Sequence, residues 1–325
     1  MDTIKSEEQV ITMTQFRKDI LTGLQASPKF LQAKYFYDHQ GDLLFQQIMK
    51  MDEYYLTDAE MGIFLNQSGD IAAMISAENT PFDLIELGAG DATKSIHLLQ
   101  ELRERELEFS YLPIDISANV IRHLEEVLPL QLPGLAIKGL NGDYFKMLDK
   151  GIALSNRRKV VLFMGANIGN MHMEEAMAFC RSLKEHLSTG DMLVIGFDLK
   201  KDPKQILAAY NDAQGITAAF NLNLLSRINR ELGADFDLKS FEHYACYDPE
   251  SGACKSFLIS EKEQVVHIPG ESAISFGAYE PVYMEISQKY SLKEIEAMAR
   301  ATGFLSKHLF FDEHKYFVDA VWIVD

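Results

Sequence analysis

Between residues 81 and 198 the chain alternates short apolar runs with amphipathic stretches. The runs cover 82–87, 111–116, 135–139, 160–164 and 192–197, each followed by a turn and most by a helical pattern. Continuous apolar runs of this length suit strands covered on both faces, and the intervening helical patterns suit the crossovers that parallel strands need. Two further runs, 307–311 and 316–324, are separated only by Asp312, Glu313, His314 and Lys315. Four residues are too few for a crossover, so these two should form an antiparallel hairpin. The pattern predicts an α/β fold with a seven-stranded, mostly parallel sheet that ends in that hairpin.

Flanking regions follow other rules. Residues 14–75 carry apolar positions such as Phe16, Ile20 and Leu24 at helical spacing, interrupted by a predicted turn at Tyr37, Asp38, His39, Gln40 and Gly41. After Asp198 the strand and helix alternation stops. Helical material runs to Leu232, where Gly233 is placed to end it. Alternating segments at 241–247 and 256–259 follow, joined by the turn chemistry of Asp248, Pro249, Glu250, Ser251 and Gly252. The expected organisation is a helical N-terminal segment (1–75), a sheet domain (76–198 with 289–325) and an inserted α+β lid (199–288).

Charge narrows the partners. The 325 residues include 31 Lys plus Arg against 48 Asp plus Glu, a net charge of -17. Such a surface repels nucleic acid and anionic membranes and favours a small-molecule substrate. No apolar run approaches a bilayer span, and the first residues lack the basic-then-apolar order of a signal peptide, so a cytoplasmic protein is expected. Cys180, Cys246 and Cys254 show no metal-ligand spacing and are expected to be reduced thiols. No dedicated interface signal stands out, and a monomer is expected.

The most specific local motif is ELGAGDATK, residues 86–94, which leaves the first strand and opens a helix bearing Ile96, Leu98, Leu99 and Leu102. Gly88 and Gly90 allow backbone to approach a ligand at the carboxyl end of a strand. Asp115, at the end of the second strand, lies where an acidic side chain takes both hydroxyls of a ribose. Asp143 and Tyr144 follow the third strand, placed to bond an adenine amino group and cover its ring. NAD and S-adenosylmethionine both present such a nucleoside. The loop carries Thr93 and Lys94 where a dinucleotide site wants a small residue, and Lys94 suits a methionine carboxylate, which favours S-adenosylmethionine and a class I methyltransferase sheet. Asn170, after the fourth strand, is a carboxamide able to orient an incoming nucleophile.

Several segments taken together resemble the histidine-specific methyltransferase family, whose best-known members make hercynine for ergothioneine synthesis. They are YDHQG at 37–41, EYYLT at 53–57, the 86–94 loop, IGN at 168–170, AYND at 209–212, the run 217–236, and EISQKY at 285–290. The resemblance spans roughly residue 30 to the end. It implies that Gly88, Lys94, Asp115, Asp143 and Tyr144 contact S-adenosylmethionine. Tyr54, Asn170 and Tyr210 would hold the amino-acid end of the substrate, Tyr37 would lie beside both amine and methyl donor, and Glu285 and Ser287 would bond the imidazole of L-histidine. A buried donor and acceptor pair of that kind rejects side chains that cannot satisfy it. Alternation alone would instead leave Tyr283, Glu285, Ser287 and Lys289 on a solvated strand face. The methionine that the family places near the imidazole has no clear counterpart within 254–258, and relatives with the same cofactor site act on a substituted tryptophan.

The expected reaction is displacement at the sulfonium methyl group by a neutral α-amine, repeated to the trimethylated betaine, with no metal required. An α-amino group titrates near pH ~8, so positioning can carry most of the catalysis. Another amino-acid acceptor is the alternative within the class. A nicotinamide dehydrogenase or a noncatalytic binder is the alternative outside it.

Overall fold

The computed structural model describes residues 2–325, with side chains from residue 13 onward. The chain divides into two compact units, Leu56–Lys200 with Gln288–Asp325 and Met1–Tyr55 with Lys201–Ser287, called here the sheet unit and the insert unit.

In the sheet unit the strand order is Phe304–Phe311, Phe317–Val324, Met192–Asp198, Arg158–Phe163, Phe82–Leu87, Phe109–Asp115 and Ala136–Ile137. The pairings from Met192–Asp198 onward are parallel, while Phe317–Val324 is antiparallel to both of its neighbours. Phe82–Leu87 and Met192–Asp198 are buried along their whole length, which is why they read as unbroken apolar runs. Phe82–Leu87 has the next strand in sequence, Phe109–Asp115, on one side and Arg158–Phe163 on the other. The strand order therefore reverses there, and open α/β sheets bind ligands beyond the carboxyl ends of strands at such a point.

Two sequence expectations need correction. The third strand, expected over 135–139, is two short pieces, Ala136–Ile137 and Leu140–Asn141, both beside Phe109–Asp115. Seven strand positions thus hold eight strands. The interruption falls where Gly139 donates its amide to Glu125 Oε1 at 2.8 Å, and a Cβ at Gly139 would stand 2.3 Å from Ile121. Close approach to the Ala118–Gln131 helix takes this backbone out of the ladder. The expected helical segment 1–75 is also divided. The Leu56–Ile75 helix belongs to the sheet unit, packing its buried Ile63, Phe64, Ile71 and Ile75 on the Ser95–Glu104 helix and the Phe317–Val324 strand side.

The insert unit places the Lys29–Phe30, Pro281–Gln288, Ala253–Ser260 and Phe241–Asp248 strands in one sheet, in that order. The 249–252 turn closes an antiparallel hairpin, and Gly233 ends the Ile216–Leu232 helix at φ 70°. Phe16, Ile20, Leu24, Phe220, Leu224, Ile228, Val282 and Met284 share one core in this unit. Residues 37–41 do not form a free turn. Asp38 caps the His39–Ile48 helix by accepting from the Gly41 amide at 2.8 Å.

Candidate active site

One group of candidate residues lies at the switch point of the sheet unit. Leaving the Phe82–Leu87 strand, Gly88 and Ala89 donate their amides to the Ile114 carbonyl at 2.8 and 3.2 Å, while Gly90 donates to Asp115 Oδ2 at 3.2 Å. Gly88 sits at φ +72°, and a Cβ there would come within 2.7 Å of the Tyr144 hydroxyl. Gly90, at φ +53°, has open space where its Cβ would be. At Gly88 only glycine combines this conformation with so close an approach, while at Gly90 the positive φ alone favours glycine. Asp115 also accepts from the Ser117 amide at 2.8 Å through Oδ1, which fixes its carboxylate at the strand end. Ile116 beside it is 83% exposed, an apolar side chain left open at the same strand end.

Asp143 and Tyr144 open the helix Tyr144–Ile152. Asp143 caps it, accepting from the Lys146 amide at 3.3 Å, and the Tyr144 ring meets Phe163 edge-on at 6.1 Å. Burial, aided by the Asp115 charge, raises the Tyr144 pKa and keeps the phenol neutral. The fourth strand runs into the 3-10 turn Asn167–Asn170 through Gly165 and Ala166, both with positive φ. Asn170 ends that turn exposed. The glycine cradle, the ribose-spaced acid, the exposed apolar side chain and the partly exposed Lys94 together fit a nucleoside bearing an amino-acid tail.

A second group of candidate residues lies in the insert unit. Tyr210 and Ser287 bond through their hydroxyls at 2.7 Å, each 8% exposed, and the Tyr54 ring meets Tyr210 edge-on at 6.2 Å. Glu285 stands two residues before Ser287 on the same face of the Pro281–Gln288 strand. That face is covered: Tyr283 and Glu285 are half-buried and Ser287 is buried, so the solvated-face expectation from alternation does not hold. Tyr37, 48% exposed, packs edge-on against Phe45 at 5.5 Å and Phe220 at 5.7 Å. Its neighbour Asp38 accepts from Gly41 and from Asn223 at 2.8 Å and pairs with Arg230. Burial disfavours the Asp38 carboxylate, but those donors hold its pKa below the ordinary range. A Cβ at Gly41 would overlap the Phe36 carbonyl at 1.8 Å, so this segment too needs a glycine.

The sites gathered by the sheet unit are Gly88, Gly90, Lys94, Asp115, Asp143, Tyr144 and Asn170. Those gathered by the insert unit are Tyr37, Tyr54, Tyr210, Glu285 and Ser287.

Comparison with known proteins decides which nucleoside chemistry applies. The model of a family described as histidine-specific, S-adenosylmethionine-dependent methyltransferases matches residues 16–324. The chain belongs to that family. It is 36% identical to the histidine N-alpha-methyltransferase of Mycolicibacterium smegmatis over 297 residues, 91% of each chain. It is 35% identical to that of Mycobacterium tuberculosis over 288 residues, 88% of each. An L-tryptophan methyltransferase of Psilocybe serbica is 28% identical over 96% of this chain and 94% of its own. The protein is therefore an S-adenosylmethionine-dependent methyltransferase with a class I sheet, and a nicotinamide cofactor is set aside.

One feature of this methyltransferase escaped the sequence. Lys94 pairs with Glu60, whose carboxylate is 1% exposed and also accepts from the Gly165 amide at 2.7 Å. Glu60 sits on the Leu56–Ile75 helix just past its first turn, where an acidic side chain after Thr57, Asp58 and Ala59 looks like ordinary polar helix surface. Beneath lie two more buried acids, Glu86 and Asp319. Burial raises Glu86 to about 7, against the bonds it accepts from Tyr111 and Ser95. Burial also lowers the Lys94 pKa, but the Glu60 carboxylate outweighs it, and the net shift is upward.

Proposed function

We propose that the protein transfers methyl groups from S-adenosylmethionine to the α-amino group of free L-histidine, three times in succession, giving the betaine hercynine. The observation that carries this reading is the covered polar face of Pro281–Gln288, where Glu285 and the Tyr210-bonded Ser287 put an acid and a hydroxyl side by side. An imidazole has one nitrogen that donates and one that accepts, and this pair can answer both. A leucine side chain would leave both groups unpaired, and a tryptophan indole, which donates but cannot accept, would answer only one of them, a penalty worth more than a misfit methylene.

Bound, S-adenosylmethionine supplies a sulfonium methyl group open to displacement. The chain's own residues do the rest. Asp115 takes the ribose hydroxyls, Gly88 and Gly90 let backbone pass close to the nucleoside, and Asp143 and Tyr144 hold the adenine. Lys94 meets the methionine carboxylate. Tyr54, Asn170 and Tyr210 hold the amino-acid end of histidine, and Tyr37 stands by the amine. Neutral phenols and carboxamides orient an amine without stabilising its protonated form as a carboxylate would, so the lone pair stays available. No strong general base is needed, because an α-amine loses its proton near pH ~8.

The test is mass spectrometry of products formed from S-adenosylmethionine and each of the twenty amino acids in parallel. Methyl gain on histidine alone, with fragmentation placing all three methyl groups on the α-nitrogen, is expected. Methyl gain on the imidazole ring or on another amino acid would refute this assignment.

A further inference from the structure

Asp319 is the most anomalous polar group among the described residues. It lies mid-strand in Phe317–Val324, opposite Gly196 in the antiparallel register, and is 0% exposed. Neither carboxyl oxygen finds a donor among the described residues. What faces it is a second buried acid. A Cβ added to Gly196 would stand 2.6 Å from Glu60 Oε1 and 3.1 Å from Asp319 Oδ1, so both carboxyls converge on the space this glycine leaves free. Two carboxylates so close together and so deeply buried resist being ionised at once, whereas one acid and one carboxylate can share a proton. Glu60 is the ionised member, because Lys94 and the Gly165 amide donate to it.

We propose that Glu60 and Asp319 form a proton-sharing carboxyl pair that positions Lys94 and the Gly165 loop for the amino-acid end of the cofactor. This rests on the reading that Lys94 meets the methionine carboxylate. The proton resides on Asp319 and is donated to Glu60, which leaves one negative charge against one ammonium. Burial and the Glu60 charge push the Asp319 pKa well upward, in keeping with that proton. The stakes are electrostatic. Were both acids ionised, an extra buried negative charge would pull on Lys94 and oppose an anionic ligand group at its tip. Held as an acid pair, they fix the lysine without cancelling its service to a carboxylate. Glu60 also reaches the loop that leads to Asn170, so the same pair steadies backbone that carries an acceptor-side residue.

Calorimetry on the full chain tests this with two ligands, S-adenosylhomocysteine and 5′-methylthioadenosine, which share the nucleoside but differ in the amino-acid end. Asp319→Leu, which cannot share a proton, is expected to weaken S-adenosylhomocysteine about tenfold and to leave methylthioadenosine within about twofold. Asp319→Asn, whose amide replaces the shared proton, is expected to bind both ligands at pH 7 like the wild type. At alkaline pH the wild type should lose affinity for S-adenosylhomocysteine more steeply than Asp319→Asn. Glu86, Lys94, Tyr111 and the ligand's own amine titrate in both proteins, so the difference isolates Asp319. Gly196→Ala, which crowds Glu60, should act like Asp319→Leu.

Equal weakening of both ligands, no weakening of either, or Asp319→Asn as impaired as Asp319→Leu would each overturn the proposal. Should Asp319→Leu fail to fold, the pH profiles of wild type and Asp319→Asn decide alone. Lys94→Ala separates the layers. If it affects both ligands alike, the assignment of Lys94 to the carboxylate falls. If it discriminates between them while the Asp319 and Gly196 variants do not, only the carboxyl pair falls.

Discussion

The residues proposed to bind cofactor and most of those proposed to bind the acceptor are supplied by different units and built by different means. In the sheet unit, the proposed cofactor groups lie at or just after strand ends within residues 88–144, and much of the arrangement is backbone: Gly88, Gly90 and the amides around Asp115. In the insert unit the proposed acceptor groups, which Asn170 of the sheet unit would join, are side chains brought from residues 37, 54, 210, 285 and 287 onto a small sheet and its helices. The first arrangement is tied to a topology and can serve any acceptor. The second can be retuned by single substitutions, which fits a family whose relatives are named for histidine and for tryptophan.

If this division holds, damage should sort by unit. Asp115→Ala should weaken S-adenosylhomocysteine by about 10–100-fold, the cost of losing charged hydrogen bonds to two hydroxyls, while leaving the free-histidine specificity ratio unchanged. Isothermal titration and competition assays read the two separately. A change in amino-acid preference in this variant would break the comparison. Ser287→Ala should raise the histidine KM about tenfold, because the Tyr210 hydroxyl loses a buried partner, with cofactor affinity within about twofold. Loss of cofactor affinity in that variant would show that the halves are not separable.

The smallest effect is one of stability. Glu86, raised by burial to about 7 from 4.5, contributes most below its unfolded-state pKa, and that contribution is lost as pH rises through 7. Glu86→Gln stays neutral and can still accept from Tyr111. Its Tm relative to wild type should therefore climb by about a few degrees between pH 5 and pH 9. A pH-independent gap would mean that Glu86 is ionised throughout.

The same contrast explains what the sequence could reveal. Strands of the sheet unit were legible because burial on both faces leaves unbroken apolar runs, and the 312–315 gap dictated the final hairpin. The third strand misled because its break comes from a contact between Gly139 and Ile121 on a neighbouring helix, which no local pattern records. Lys29–Phe30 was unreadable as a strand. It has two residues, and its parallel partners, Val282 and Tyr283, lie some 250 positions away. Of the site, Gly88, Asp115 and Tyr144 could be argued from spacing. Glu285 and Ser287 could not, since alternation alone assigns them to solvent and only the family resemblance points to a pocket. Glu60 and Asp319 left no signal, because an acid near the start of a helix and an acid within a strand are both commonplace until tertiary packing buries them together.

The central claim, that Glu285 makes this protein read an imidazole, is tested most directly by measuring kcat/KM on histidine and on tryptophan for wild type and Glu285→Ala. The account predicts a wild-type preference for histidine of at least about a hundredfold, collapsing in the variant through loss on histidine with S-adenosylhomocysteine affinity intact. Histidine turnover that survives Glu285→Ala unchanged would contradict it.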